Sequence, residues 1–340
     1  MVMSGSRPLF MRTRFPVALA FAALSALVLS AAACSSSSTS TASPDGGAPD
    51  MDASVPVTSD AGQSKDAGVV AARCKATGTF GAPTLVGGTT SADNELSAWL
   101  TPDELTIYVT RTPVAGGDTV IVRGTRADRD AAFGALTPFP LPTMSGSLTW
   151  VAGSAQTPSF TDDENTVAFV GYNSVGVQYQ IAVSTRTSAT SPWSEATLLD
   201  RGGSYLYREP YFARGGAALY FSDGTGGSSY LVRTNMDATG GYDQDFITWY
   251  GDDDYPVISR DELTIFFRNS SATTKSGDIL TTHRKSTAVP FGQGSATIVP
   301  ELSSPKQDAP VWLSPDGCAL YMVSDRAGDN YDLYRAVRSQ

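Results

Sequence analysis

The chain has one histidine, His283, and three cysteines, Cys34, Cys74 and Cys318, among 340 residues. That scarcity excludes several chemistries. A Ser-His-Asp triad would have only His283 as its base, and "DILTTHRKS" places this residue on a third strand of the repeat described below, away from the channel. A zinc centre would have that one imidazole and two thiols distant in sequence. Basic residues are few: 24 Lys and Arg stand against 34 Asp and Glu, a net charge of −10, which argues against nucleic acid or an anionic membrane surface as a partner. Glycine-rich pieces such as "GTGGS" from Gly224 lead into strands and so make no phosphate cradle. The longest apolar run, "FPVALAFAALSALVL" from Phe15 to Leu29, is short for a permanent membrane span, and no helical segment of consequence follows it.

What is present at the start has the order of an export signal. Arg7, Arg12 and Arg14 precede the apolar run, and the small residues of "SAAAC" follow it. Cys34 sits where a bacterial lipoprotein is cut and lipidated, although Ala31 stands in place of the usual leucine. The alternative is ordinary cleavage after an Ala-x-Ala site, which leaves Cys34 as an odd thiol. Ser35 directly after Cys34 is not the aspartate associated with inner-membrane retention, so by resemblance the expected location is the outer membrane, on either face. From Ser35 to about Gly68 the chain is Ser, Thr, Ala, Gly, Pro and Asp with almost no apolar bulk, and such a segment cannot offset its ordering entropy. The expected division is a signal over 1–33, a disordered tether over 34–73 and a folded, monomeric domain over 74–340. Removing 1–33 takes away three Arg and no acid, which moves the net charge from −10 to −13.

The folded part is a repeat. "WLTPDELTIYVTR" from Trp99 recurs as "PSFTDDENTVAFVGY" from Pro158, "PYFARGGAALYFSD" from Pro210, "PVISRDELTIFFRN" from Pro256 and "PVWLSPDGCALYMVSD" from Pro310. In each copy a short apolar strand meets a polar turn, centred on Asp103, Asp163, Gly215, Asp261 or Asp316, at spacings of 60, 52, 46 and 55 residues. Four and six residues past each centre the chain is apolar: Ile107, Val167, Leu219, Ile265 and Leu320, then Val109, Phe169, Phe221, Phe267 and Met322. That is a strand with period two. A third strand follows in "DTVIVRGT", "QYQIAVST", "SSYLVRTN", "GDILTTHR" and "YDLYRAVR". Three of these end on Arg126, Arg186 and Arg284, each seven residues before an aromatic, Phe133, Trp193 or Phe291, with Asn235 and Tyr242 keeping the spacing in the third copy. The aromatics are expected to begin a looser fourth strand. Five units of four antiparallel strands describe a five-bladed β-propeller.

The fifth unit reaches Arg338 and then lacks its aromatic strand. "FGAPTLVGG" from Phe80 to Gly88 belongs to no complete unit and is expected to supply that strand, closing the ring without an open sheet edge. Closure would bring Cys74 toward the blade carrying Cys318. A disulfide there is one outcome and two separate thiols the other, since spacing along the chain sets no distance in space.

The repeated "SPDG...LY..SDR" phrase, with its later Arg and "FG", resembles the TolB-like, WD-like β-propeller repeat of bacterial envelope lipoproteins, over about residues 78–340. The third copy departs with "ARGG", the first has Ser97 in place of the proline, and five units are fewer than the six of the TolB propeller. The resemblance implies a fold more than a function, because such propellers serve as binding scaffolds, enzyme gates and lyases.

In a propeller the first strand of each blade lines the axis, and its beginning opens on the face that commonly binds ligands. Glu95, Arg208, Glu209, Asp252 to Asp254 and Asp308 begin first strands, and Arg111, Asp223, Arg268, Asp325 and Arg326 follow second strands onto the same rim. The expected role of Glu95, Arg208, Glu209, Asp254, Asp308, Arg111, Asp223, Arg268, Asp325 and Arg326 is to bind a protein or an envelope polysaccharide without catalysis. Two alternatives carry chemistry. Calcium could use the three carboxylates of "YGDDDYP", yet adjacent strand residues point opposite ways and no spaced loop is present, so no cofactor is expected. Glycosidase action could pair Glu209 with Asp254 or Asp308, as some five-bladed propellers hydrolyse polysaccharides with carboxylates near the axis. Trp150, Trp249 and Tyr250 fall outside the repeat columns, as ligand-contacting loop residues or as apolar residues of outer strands.

Overall fold

The computed structural model describes residues 73–75, 78–143, 156–173, 178–199, 206–224, 229–236, 245–246, 252–270, 277–292, 294–328 and 330–340. The signal, Cys34, residues 35–72, Trp150, Tyr242, Trp249 and Tyr250 lie outside them.

Twenty strands form five four-stranded antiparallel sheets. Blade 1 is β2 (Asn94–Leu100), β3 (Thr106–Thr112), β4 (Val120–Thr125) and β5 (Thr137–Pro138). Blade 2 is β6 (Gln156–Phe160), β7 (Thr166–Asn173), β8 (Gln178–Thr185) and β9 (Thr197–Leu198). Blade 3 is β10 (Tyr207–Ala213), β11 (Ala218–Asp223), β12 (Tyr230–Asn235) and β13 (Asp245–Phe246). Blade 4 is β14 (Asp253–Ile258), β15 (Thr264–Asn269), β16 (Asp278–His283) and β17 (Thr297–Ile298). Blade 5 is β18 (Asp308–Leu313), β19 (Ala319–Ser324) and β20 (Asp332–Val337), and its outer strand is β1 (Thr84–Leu85) from the other end of the chain. The first strands β2, β6, β10, β14 and β18 touch their neighbours in a closed ring around the axis.

The two apolar columns are the packing between blades. Ile107, Val167, Leu219, Ile265 and Leu320 have no exposure at all, and Val109, Phe169, Phe221, Phe267 and Met322 have at most 2%. His283 ends β16, exposed, with Nδ1 2.9 Å from the Thr264 hydroxyl. The only helical turn among the described residues is one 3-10 turn, Arg214–Gly216, where the third copy reads "ARGG".

Side chains of the turn hold it in shape. Thr101 donates its hydroxyl to Asp103 Oδ1 at 2.6 Å and accepts the Thr106 N–H at 3.0 Å, while Asp103 Oδ1 also accepts the Leu105 N–H at 2.9 Å. Thr161 with Asp163, Ser259 with Asp261 and Ser314 with Asp316 repeat the hydroxyl-to-carboxylate bond at 2.6 Å. The residue after the aspartate is left-handed in every case: Glu104 (φ 65°), Glu164 (55°), Glu262 (58°) and Gly317 (70°). Three of these are glutamates, which pay for a conformation that glycine adopts freely.

The compensation comes from the neighbouring blade. Tyr108 of blade 1 donates its hydroxyl to Glu164 of blade 2, Tyr220 of blade 3 to Glu262 of blade 4 at 2.7 Å, and Tyr321 of blade 5 to Glu104 of blade 1 at 3.0 Å. An arginine of the third strand joins each: Arg123 Nε donates to Tyr108 Oη at 3.2 Å, Arg233 Nε to Glu262 at 3.0 Å, and Arg335 lies 3.9 Å from Glu104. The tyrosine column reads Ala168 in blade 2 and Phe266 in blade 4, and the next blade's turn has Gly216 or Gly317 in place of the glutamate. A Cβ on Gly216 would come within 2.4 Å of Thr161 Cγ2 at a left-handed φ of 97°, so a side chain there would force Thr161 to move and strain the backbone. Latches thus tie three of the five seams. Tyr220→Phe is expected to cost about 1.5–3 kcal/mol, the range for a hydrogen bond to a charged group, measured by urea unfolding.

The Arg and aromatic seven residues apart are a stacked pair, and the aromatic does not itself enter the fourth strand. Arg126 lies 4.5 Å over Phe133, Arg186 4.3 Å over Trp193 and Arg284 4.6 Å over Phe291, while the fourth strands begin four to six residues later and are only two residues long. The guanidinium of each reaches back to the turn, Nε donating to the carbonyl of Glu104, Glu164 or Glu262. In blade 5 the pair is Arg338 over Phe80 at 4.3 Å, joining the two ends of the domain.

The two chain ends pair as expected for closure. Phe80 bridges Arg338, Thr84 pairs with Arg335 and Leu85 with Tyr334. Cys74 and Cys318 form a disulfide with Cα atoms 5.6 Å apart. Arg73, one residue before it, ion-pairs with Asp316 at 2.7 Å and with Glu104.

Candidate functional site

Each first strand carries a bulge near its start, where the register with the second strand slips between Glu95 and Ser97, Gln156 and Ser159, Arg208 and Tyr211, Asp254 and Val257, or Pro310 and Trp312. In four blades the slip coincides with a proline, Pro158, Pro210, Pro256 or Pro310, which a regular inner strand would not tolerate. The residue before the proline is left-handed in blades 2, 3 and 4: Thr157 (φ 50°), Glu209 (47°) and Tyr255 (53°). These three, with Leu96 at the blade 1 bulge, line one cavity of 220 Å³ at the mouth of the axis, together with Gln156, Val170, Tyr179 and Arg208. The opposite half of the axis is filled. Trp99, Phe160, Tyr211 and Trp312 pack there with little space between them, and Tyr211 Oη of blade 3 accepts the Leu313 N–H of blade 5 at 3.4 Å.

The rim residues are sorted by blade. Glu95 at the start of β2 ion-pairs with Arg111 at 3.1 Å, Asp254 is held by a two-pronged contact from Arg268, and Asp308 accepts from Arg326 at 2.6 Å. Asp308 has no exposure: Ser324 and the Ser304 N–H also donate to it, so it faces its own blade and not the cavity. Asp325 accepts the Gln307 N–H at 2.7 Å, and Asp223 is buried at the end of β11. The three carboxylates of "GDDDY" go separate ways, Asp252 outward, Asp253 buried against Asn269 Nδ2 at 2.6 Å, and Asp254 to Arg268. Among the described residues no three His, Cys, Asp or Glu side chains gather as a metal would require.

Glu209 is the carboxyl that enters the cavity. It accepts the Ser222 hydroxyl, and burial followed by the charge of Asp254 raises its pKa to about 7 against the opposing pull of Ser222, Arg268 and Arg208. Arg268 stacks 4.8 Å over Tyr255, and Arg208 4.8 Å over Tyr179. Of the ten residues expected on the rim, Arg208, Glu209, Asp254 and Arg268 are gathered at the mouth. Thr157, Tyr179 and Tyr255 were not singled out, although the residue before each aligned proline was a visible signal for Thr157 and Tyr255.

Glu95 has a different character. It is fully buried, and burial raises its pKa to about 7 while Ser91 and Arg111 oppose the rise and Asp332 adds to it. Glu95 Oε2 and Asp332 Oδ1 each lack a donor, and the two carboxyls bond when Glu95 is protonated. A carboxyl whose folded pKa is raised holds its proton longer when folded, so its stabilisation is full below the unfolded pKa and is lost as pH rises through about 7. The loss for Glu95 is on the order of 3 kcal/mol. Melting curves from pH 5 to 8.5 should therefore fall toward high pH, and Glu95→Gln, which keeps a donor toward Asp332, should flatten that slope.

No protein-family model and no curated protein sequence matches the chain. Among solved structures, the chain is similar to a family 117 glycoside hydrolase of the marine bacterium Zobellia galactanivorans, at 10% identity over 76% of this chain and 90% of that one, with a TM-score of 0.53. A TolB from Agrobacterium tumefaciens is 15% identical over 73% of this chain and 70% of that one, at a TM-score of 0.45. A thermostable family-43 glycoside hydrolase is 14% identical over 76% and 92%, at 0.48. The first of these is a likeness of fold alone, and the other two, below 0.5, support nothing further; a β-propeller is what the chain shares with known structures.

Proposed function

We propose that the protein is an exported, membrane-tethered binding scaffold of the bacterial cell envelope that holds a protein or envelope component through the rim around the upper mouth, without catalysis. The observation that carries this reading is the in-blade pairing of the rim charges. Glu95 with Arg111, Asp254 with Arg268 and Asp308 with Arg326 are paired within their own blades, and of the three carboxylates that hydrolysis would use, Asp308 is turned into its own blade. Fixed pairs of this kind favour specific docking over bond cleavage, since they position a partner and carry no free nucleophile. The disulfide supports an oxidising compartment, and the sequence before Ser35 supports export and lipidation at Cys34. Crosslinking of the lipidated protein in its own envelope, beside an Arg208→Gln, Glu209→Gln, Asp254→Asn triple variant, tests it. A discrete partner lost in the variant is the expected result, and identical capture by both forms would remove the rim from consideration.

A second reading, a carbohydrate-active enzyme, is favoured by one observation: Glu209 enters the cavity, and burial followed by the charge of Asp254 raises its pKa to about 7, the condition of a general acid near a second carboxylate. Turnover of a polysaccharide panel that disappears in Glu209→Gln would establish it and replace the scaffold.

A further inference from the structure

We propose that the cavity at the upper mouth is a small-molecule site for a hydroxylated carboxylate about the size of one sugar ring, gripped by the Arg208 guanidinium and the Thr157 hydroxyl. This does not rest on the scaffold reading, because the rim can dock a macromolecule whether or not the cavity is filled.

Three independent features point to a ligand. Thr157 is 7% exposed and lines the cavity, yet its Oγ1 has no hydrogen-bond partner. A buried hydroxyl left unmade is costly, and a ligand hydroxyl would satisfy it. The backbone is strained at the same place: Thr157, Glu209 and Tyr255 are all left-handed, all followed by proline, and all project from successive blades into one space. Strain repeated at equivalent positions around a cavity is a mark of a site, since ordinary turns would relax it. The third feature is charge. Arg268 is spent on Asp254, whereas Arg208 makes no ion pair within 4 Å among the described residues and lies with its guanidinium over Tyr179.

The chemistry of the ligand follows. One uncommitted guanidinium suits a single negative charge, and its fork matches a carboxylate in two-pronged geometry. A phosphate would bring more charge toward Glu209 and Asp254 than Arg208 can balance. Thr157, Gln156 and Glu209 offer donors and acceptors for hydroxyl groups. At 220 Å³ the space is smaller than the pockets of drug-sized ligands, which fits one ring and excludes a folded peptide.

Glu209 makes the site sensitive to pH. It is faced by Asp254, Arg268 and Tyr255 of blade 4 and by Ser222 of its own blade, with Arg208 adjacent. Below about 7 it is protonated and the mouth keeps the positive charge of Arg208; above that it is ionised and repels an anion.

Calorimetric titration of the mature protein with D-glucuronate and D-gluconate, against D-glucose and acetate, tests the assignment. At pH 6 at least one of the two hydroxy acids should bind with a dissociation constant below about 1 mM, with glucose and acetate about tenfold weaker or more. Affinity should fall about tenfold by pH 8.5, and Glu209→Gln should remove that dependence. Arg208→Gln and Thr157→Val should each weaken binding about tenfold at unchanged melting temperature, while Thr157→Ser, which keeps the hydroxyl, should retain it. No heat from either acid at 10 mM-scale concentrations, about the limit of the method, or equal binding by glucose, or no effect of either substitution, overturns the proposal.

Discussion

Removing the disulfide, as Cys74→Ala with Cys318→Ala, is expected to lower the unfolding free energy by about 5 kcal/mol on the chain-entropy account. The bond spans 244 residues, which is nearly the whole folded domain, so it restrains the unfolded chain over almost its full length. Its native-state role is equally concentrated. The outer strand of blade 5 is only Thr84–Leu85, paired to β20 through Arg335 and Tyr334, and the other ties nearby are the Arg338 stack on Phe80, the Arg73 ion pairs and a few backbone bonds. Without the disulfide the N-terminal segment should fray before any blade does, exposing the edge of β20. Melting with and without reductant gives the magnitude, and hydrogen exchange gives the order: amides of Val86 and Gly81, which donate to Leu333 and Val337, should lose protection first. A stability change under about 1 kcal/mol would show that the ladder alone holds the ring.

The second large effect is expected at Glu104. Its carboxylate has no exposure and is ringed by guanidinium groups, Arg126 at 3.7 Å, Arg129 at 3.4 Å, Arg335 at 3.9 Å and Arg73, with the Tyr321 hydroxyl donating at 3.0 Å. Glu104→Ala leaves the buried Arg126 and its neighbour Arg129 without their counter-charge, while Arg73 keeps Asp316 and Arg335 keeps Asp130, a loss of about 3–5 kcal/mol. Glu164, the equivalent residue at the seam of blades 1 and 2, is half-buried and has no guanidinium within 4 Å among the described residues, so Glu164→Ala should cost about 1–3 kcal/mol for the lost Tyr108 bond. The contrast between the two, measured by denaturant unfolding, separates the charge cluster from the latch hydrogen bond. Because Arg73 links Glu104 to Asp316 beside Cys318, the Glu104 and disulfide losses should sum to less than their separate values. Strict additivity would mean that the two act on different parts of the ring.

Much of the site was unreadable along the chain for one physical reason. The bulges insert a residue before Pro158, Pro210 and Pro256, and a slip of one residue turns a strand's side chains to the other face. Residues one position apart therefore differ in fate: Glu209, directly before Pro210, enters the cavity, whereas Asp308, two residues before Pro310, is bonded to Ser324 and Arg326 in its own blade. The pairing of rim charges was likewise hidden, since Glu95 meets Arg111 only across a register that the bulge sets.

The sequence by itself determined the number of blades, the identity of their second and third strands and the use of Phe80 to Val86 as the missing outer strand; it brought Cys74 toward the blade of Cys318 and left open whether the two are bonded. These follow from local signals, apolar period two and side-chain-bonded turns, repeated in phase five times, so that each copy supports the others. Only the tertiary structure decided that Tyr321 belongs to Glu104 and Tyr220 to Glu262, that two seams go without such a latch, and that Thr157, Arg208, Glu209 and Tyr255 converge on one cavity. Those contacts join residues of different blades, and the distance between them is set by how the ring closes and how each inner strand bulges, neither of which is a property of any one stretch of chain.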